Sequence, residues 1–208
     1  FGALADLLEK NQLFISDVKT GWFCLNCGHV FEGTQAPEQC PVCSHDKGYF
    51  VRLELARVIS EMYPDADVVA GVAINAIAHG VLVAEQLSLP FVYVHPIPKN
   101  HGLENQIEGD LRPRQSVVVV ENQVNTGENI LKVVEALRRN GCKVLGVVTI
   151  FDYAFPETRE KLEDMDVILT PLTNFETVLR HAKAMDIVSE EECEVIEKWQ
   201  ANPSKWKK

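Results

Sequence analysis

Two groups of residues have types and spacings that imply chemistry. The first is a pair of Cys-x-x-Cys knuckles, Cys24-Leu-Asn-Cys27 and Cys40-Pro-Val-Cys43, with twelve residues between them. Four thiolates at this spacing can close a tetrahedral shell around one ion, and such a shell accepts zinc or iron. The second is the run Val117-Val-Val-Val-Glu-Asn-Gln-Val-Asn-Thr-Gly-Glu-Asn129. Four valines suit a strand buried on both faces, and Asn125-Thr126-Gly127 supplies a tight turn into a helix N-terminus whose free amides attract anions. Glu121 and Asn122 stand where an acidic pair would grip the hydroxyls of a phosphorylated sugar.

These groups need a scaffold, and the hydrophobic pattern supplies one. Apolar residues at helical spacing from Arg52 to Met62 are ended by Pro64-Asp, ahead of a strand at Val68–Ala70. The alternation continues with helix Ile77–Leu87, strand Phe91–Val94, strand Val117–Val120 and helix Glu128–Asn140. Strand Val144–Ile150, helix Glu157–Glu163 and strand Val167–Thr170 complete it. Strands alternating with helices predict a parallel sheet covered on both faces, with ligands outside the carboxyl ends of the strands. Ser189 and Glu192 form the signature of a capping box, so the acidic tail that follows is read as a surface helix. Trp199 and Trp206 are expected to pack on the domain, and Tyr153 and Phe155 are equally suited to packing or to contacting a base.

Taken in order, four segments resemble orotate phosphoribosyltransferases over about two thirds of the chain. They are Val68 to Gly80, Leu89 to Gly109 with Lys99-Asn-His-Gly and Gln106-Ile-Glu-Gly109, Val117 to Asn129, and Val144 to Pro156. The resemblance implies an α/β type I phosphoribosyltransferase fold and transfer of phosphoribosyl from phosphoribosyl pyrophosphate, with magnesium, to a pyrimidine base. It implies a 5′-phosphate and ribose site at Glu121, Asn122, Asn125, Thr126, Gly127, Glu128 and Asn129, and a diphosphate loop at Ile74, Asn75 and Ala76. Residues 99–111 would be a lid reaching toward the neighbouring subunit of a homodimer, with Lys99 and His101 acting on the leaving group and Gly102 and Gly109 as hinges.

The knuckles, with Tyr49-Phe50 closing the segment, resemble the rubredoxin-like module of rubrerythrins. Iron there would imply electron transfer, but Glu-x-x-His di-iron helices are not found in the sequence, so structural zinc is favoured over iron. His29 and His45 are read as residues outside an already complete shell. The expected division is an N-terminal helix and strand at 1–20, the four-cysteine module at 21–50 and the phosphoribosyltransferase domain at 51–208. The module would then occupy the position of the family's base-covering hood.

Several loop residues depart from the family pattern. The family's Glu-Asp pair is Glu121-Asn122, Glu128 replaces a small residue, Ile74-Asn75-Ala76 is bulkier than usual, and His95 and Ile97 stand in place of basic residues. A Glu128 carboxylate about 4 Å from a phosphate would be repelled by about 1 kcal/mol in water and about 4 kcal/mol at an effective dielectric of about 20. The alternative to an active transferase is therefore a catalytically impaired nucleotide-binding or regulatory protein on the same fold.

Composition sets the outer bounds. A chain of 208 residues holds one substantial core with a small satellite. A net charge of −10 disfavours nucleic acid and anionic membranes as partners. The apolar runs are too short to span a bilayer, the N-terminal residues do not read as a signal segment, and a cytoplasmic location is expected. Cys142 and Cys193 lie far apart and are read as core thiols rather than nucleophiles.

Overall fold

The computed structural model describes residues 15–24, 26–47, 50–52, 54–97, 106–203 and 206. The expected N-terminal helix, Lys99, His101 and Gly102 lie outside the described residues. Among those described, no helix is long and apolar enough to cross a membrane.

The first unit is a three-stranded antiparallel sheet. Strands β1 (Ile15–Cys24), β2 (Val30–Gln35) and β3 (Phe50–Arg52) are arranged β2-β1-β3. Trp22 is fully buried, donates its indole N–H to the Gly33 carbonyl at 3.0 Å, and packs with Cys24, Ala36 and Cys40 in a small core of its own.

Strand β3 leads into helix α1 (Glu54–Met62), where the larger unit begins. Its strands are β4 (Val68–Val72), β5 (Phe91–Val94), β6 (Ile107–Glu108), β7 (Ser116–Val124), β8 (Lys143–Asp152) and β9 (Leu169–Asn174). They form one sheet in the order β6-β5-β4-β7-β8-β9. All are parallel except β6, which returns antiparallel along β5. Helices α2 (Ile77–Leu87), α3 (Glu128–Arg139) and α4 (Pro156–Asp164) connect the strands, and α5 (Phe175–Ala184) and α6 (Glu190–Ala201) follow.

The valine runs explain the layering. Side chains alternate across a strand, so Val117 and Val119 face one core with Ile130, Val133, Val134 and Leu137 of α3. Val118 and Val120 face the other, with Leu55 and Ile59 of α1 and Val83 of α2. Each fully buried Val, Leu or Ile contributes about 1.5–3 kcal/mol, so α3 is held mainly by four such side chains. Close approach of α2 to β5 requires glycine: a Cβ on Gly80 would lie 2.5 Å from the Phe91 ring.

Some boundaries differ from the sequence reading. Strand β7 does not stop at Val120 but continues through Glu121 and Asn122 to Val124, because Gln123 and Val124 pair with Phe151 and Asp152 of β8. Strand β9 begins at Leu169 and runs past Pro171, which an edge strand tolerates because one side of its backbone has no ladder to complete. Trp199 packs as expected, against Tyr153, Phe155 and Phe175, whereas Trp206 is 43% exposed. Gly109 lies close against β5. Its φ is +118° and a Cβ there would meet Val92 Cγ1 at 2.9 Å.

Candidate active site and metal centre

The metal centre arises from a backbone pattern used twice. In each knuckle the first cysteine's N–H donates to a histidine carbonyl, Cys24 to His29 and Cys40 to His45, both at 2.8 Å. Each first cysteine's carbonyl then accepts an amide at 2.9 Å, from Gly28 and Ser44 respectively. Gly28 and Ser44 both have positive φ, 78° and 59°, so the chain folds back identically in the two halves. The four Sγ atoms lie within 4.8 Å of one another, with Cys24 to Cys43 at 3.7 Å and Cys27 to Cys40 at 3.5 Å. A tetrahedral ion bound at about 2.3 Å needs sulfurs about 3.8 Å apart, so the donor set fits a metal. His45 Nδ1 lies 3.2 Å from the Cys43 carbonyl, outside the thiolate set.

The second site lies at the carboxyl ends of the parallel strands. Gly71 pairs with Val120, Val72 with Val94, and Glu121 with Thr149. The end of β4, the end of β5 and Glu121 of β7 are therefore level across the sheet. After β4 the chain turns through Ala73 to Ala76, with the Ala73 amide donating to the Val94 carbonyl at 2.9 Å and the Ala76 amide to the Val72 carbonyl at 3.0 Å. The Ala73–Ile74 peptide is cis. The bulk of Ile74 does not fill this turn, since its side chain is 76% exposed. Asn75 is also exposed and Ala76 buried.

Glu121 is 6% exposed. Burial raises its pKa to about 7, against the opposing effect of the Asn122 amide, which donates to its Oε1 at 2.9 Å. Asn122 is half-buried and its Oδ1 accepts the Gln123 amide at 2.7 Å. The turn into α3 begins immediately after β7. Asn125 Oδ1 accepts the Thr126 amide at 2.6 Å, and Gly127, at φ +72°, is an N-cap with no side-chain cap. The first helical bond runs from the Leu131 amide to the Gly127 carbonyl at 3.0 Å, which leaves the amides of Glu128, Asn129 and Ile130 without intrahelical acceptors. Three amides at the positive end of a helix dipole form an anion cradle. Glu128 and Asn129 are exposed there, and in the first turn the Glu128 carboxylate complements the dipole.

On the other side of β4, His95 packs edge-on to Tyr93 at 5.5 Å, and its buried Nε2 has no hydrogen-bond partner among the described residues. Gln106 explains why its motif matters. Its carbonyl accepts the His95 amide at 2.8 Å, its side-chain amide donates to the His95 carbonyl at 3.0 Å, and its Oε1 accepts from Arg139 at 3.0 Å. The end of the 99–109 segment is thereby tied to β5 and α3. The two units touch at this edge of the molecule as well: Phe23, next to the ligand Cys24, meets His79 of α2 edge-on at 6.4 Å. Burial holds the His79 pKa below its ordinary value.

The end of β8 and the residues after it pack on one another. Asp152 is buried, which raises its pKa, and its Oδ1 accepts the Ala154 amide at 2.8 Å. Tyr153 packs against Phe151, Phe155 and Trp199, and Phe155 packs against Trp199 as well. Sequence reasoning missed Thr158. It is 2% exposed and donates its hydroxyl to the Asn125 carbonyl, 33 residues away, and no local pattern signals such a contact.

Comparisons with known proteins match both units of the chain. Residues 22–51 match the model of the rubrerythrin, rubredoxin-like domain, and residues 52–182 match the phosphoribosyl transferase domain. The chain is 48% identical to the orotate phosphoribosyltransferase of Phocaeicola vulgatus over 157 residues, covering 76% of this chain and 74% of that protein. The crystal structure of orotate phosphoribosyltransferase from Aeropyrum pernix superposes with a TM-score of 0.57 at 26% identity, covering 90% of this chain and 100% of that one. Leishmania donovani UMP synthase shares the fold, with a TM-score of 0.55 at 16% identity over 80% of this chain and 39% of that one. Identity across most of the chain, together with a doubly covered parallel sheet that brings an anion cradle and a buried carboxylate to one edge, shows that the chain belongs to the orotate phosphoribosyltransferase family.

Proposed function

We propose that the chain transfers the phosphoribosyl group of phosphoribosyl pyrophosphate to orotate. The bond from ribose C1 to the diphosphate oxygen breaks, a bond from C1 to the pyrimidine nitrogen forms, and pyrophosphate and the nitrogen's proton leave. The observation that carries the reading is the anion cradle at residues 128–130, which follows β7, beside the turn at 73–76, which follows the neighbouring strand β4 and whose start is level with the buried carboxylate of Glu121. A 5′-phosphate on the cradle would bring ribose hydroxyls to Glu121 and Asn122 and the diphosphate toward Ile74, Asn75 and Ala76. Charge develops on the ribose as the diphosphate departs, and a carboxylate placed beforehand stabilises it without reorganising. Asn125, Thr126 and Gly127 shape the cradle, and Glu128 and Asn129 bring its amides.

Lys99 and His101 are the groups we assign to the leaving diphosphate, with magnesium bound to the substrate. The four cysteines are assigned a structural zinc, because a redox role needs a partner centre and among the described residues no other group of metal ligands is found. We also propose a cytoplasmic homodimer in which residues 99–109 of one chain serve the other's phosphate site. Isothermal titration of phosphoribosyl pyrophosphate with magnesium, followed by orotate consumption and pyrophosphate release on the same sample, tests the reading. Tight binding without product would instead support the impaired, nucleotide-binding alternative that Asn122 suggests.

A further inference from the structure

The phosphate cradle has few supports of its own. Its turn, 125–127, is neither strand nor helix, its N-cap contributes no side chain, and a cleft of about 120 Å³ lies behind it, lined by Thr126, Phe155, Pro156, Thr158, Lys161 and Pro203. Packing does not fill that space. What holds the turn comes from the segment after β8. The Tyr153 amide donates to the Val124 carbonyl at 2.9 Å, and the Thr158 hydroxyl donates to the Asn125 carbonyl at 2.5 Å. The methyl of Thr158 sits 3.0 Å from where a Cβ on Gly127 would stand, so one side chain braces both ends of the turn. Gln200 of α6 secures the brace in turn, donating to the carbonyls of Tyr153 at 3.2 Å and Ala154 at 3.0 Å.

We infer that Thr158 is a positioning residue for the 5′-phosphate: its hydroxyl fixes Asn125, and thereby the direction in which the amides of the α3 N-terminus point. This rests on the functional reading above, because it presumes that a sugar phosphate occupies the cradle. The diphosphate turn at 73–76 hangs from β4 and β5 and makes none of these contacts. A defect at Thr158 should therefore separate the two ends of the substrate.

The experiment compares wild type with Thr158→Val, which keeps the shape and methyl but loses the donor, Thr158→Ser, which keeps the donor, and Gln200→Ala, which loosens the brace from outside. Isothermal titration measures ribose 5-phosphate and, separately, pyrophosphate with magnesium; steady-state assays with orotate give KM for phosphoribosyl pyrophosphate and kcat. One buried hydrogen bond is worth a factor of about five to ten in affinity. Thr158→Val should weaken ribose 5-phosphate and raise KM by about that factor while pyrophosphate binding and kcat stay within about twofold. Thr158→Ser should restore both, and Gln200→Ala should move them the same way by less.

Equal weakening of both ligands, or none, would overturn the inference. If Thr158→Val fails to fold, Gln200→Ala gives the same separation or refutes it. Wild type that binds neither ligand would overturn the functional reading and the inference with it, whereas wild-type binding untouched by these changes overturns the inference alone.

Discussion

Replacing Glu121 with Gln should make the protein more stable, and increasingly so as pH rises. The carboxyl is 6% exposed, accepts one backbone amide at 2.9 Å, and makes no ion pair among the described residues. Burial disfavours its charged form and lifts its pKa from an ordinary 4.5 to about 7. A carboxyl whose pKa is higher folded than unfolded holds its proton more tightly in the native state. Its stabilising contribution is complete below pH 4.5 and is lost as pH climbs through about 7. At about 1.4 kcal/mol for each tenfold change, the whole loss is about 3 kcal/mol, and about 2 kcal/mol of it falls between pH 5.5 and 8.5.

Gln keeps the size and can still accept the Asn122 amide, but it has no proton to lose. The gap in unfolding free energy between Glu121→Gln and wild type should therefore widen by about 2 kcal/mol over that interval. Urea titrations followed by far-UV circular dichroism, zinc-replete and without substrate, measure the gap at each pH; taking the difference removes every other group that titrates. A gap that stays flat within about 0.5 kcal/mol, or narrows toward alkaline pH, would show that Glu121 is not held as the structure describes.

Three further outcomes follow from the two sites. Elemental analysis of protein purified without added metal should find one zinc per chain, and Cys24→Ser should lose it and unfold the three-stranded sheet while circular dichroism shows the α/β core intact; iron in excess of zinc would refute the assignment. Asn122→Asp should raise kcat about fivefold, the equivalent of about 1 kcal/mol of charge stabilisation at the ribose, and unchanged or lower turnover would count against a transition state that builds charge there. Light scattering at micromolar concentration should give the mass of two chains, and a monomer would remove the basis for a lid acting on its neighbour.

The parts of the molecule written locally in the chain were legible in advance. Both knuckles could be read from spacing, and β4, β7 and α3 from runs of valine and from period, because local residue type decides those structures. Strand β7 was read too short because Glu121 and Asn122 are polar, yet β8 supplies the ladder that carries the strand on to Val124. Helix α5 left little trace because it buries no residue completely, although Asn174, which accepts the Thr177 amide, is a cap that its sequence advertises. The two-residue strand β6 exists only because β5 offers it an edge. Thr158 depends on a partner 33 residues away, and no window along the chain can contain that contact.

The order of strands in the sheet also bears on how the chain acquires its shape as it is made. The four-cysteine sheet pairs residues close in sequence, Phe23 with Val30 and Cys24 with Phe50, so it can close early on the growing chain. Strand β4 cannot. It lies between β5 and β7, and while Val69 meets Phe91 soon after synthesis, the partner of Val68 is Val117, 49 positions later. Throughout that interval a wholly apolar strand has one edge of unpaired amides and carbonyls, a template for any other chain with the same need. The middle of the sheet, completely buried in the finished molecule, is thus left open to misassociation during its synthesis.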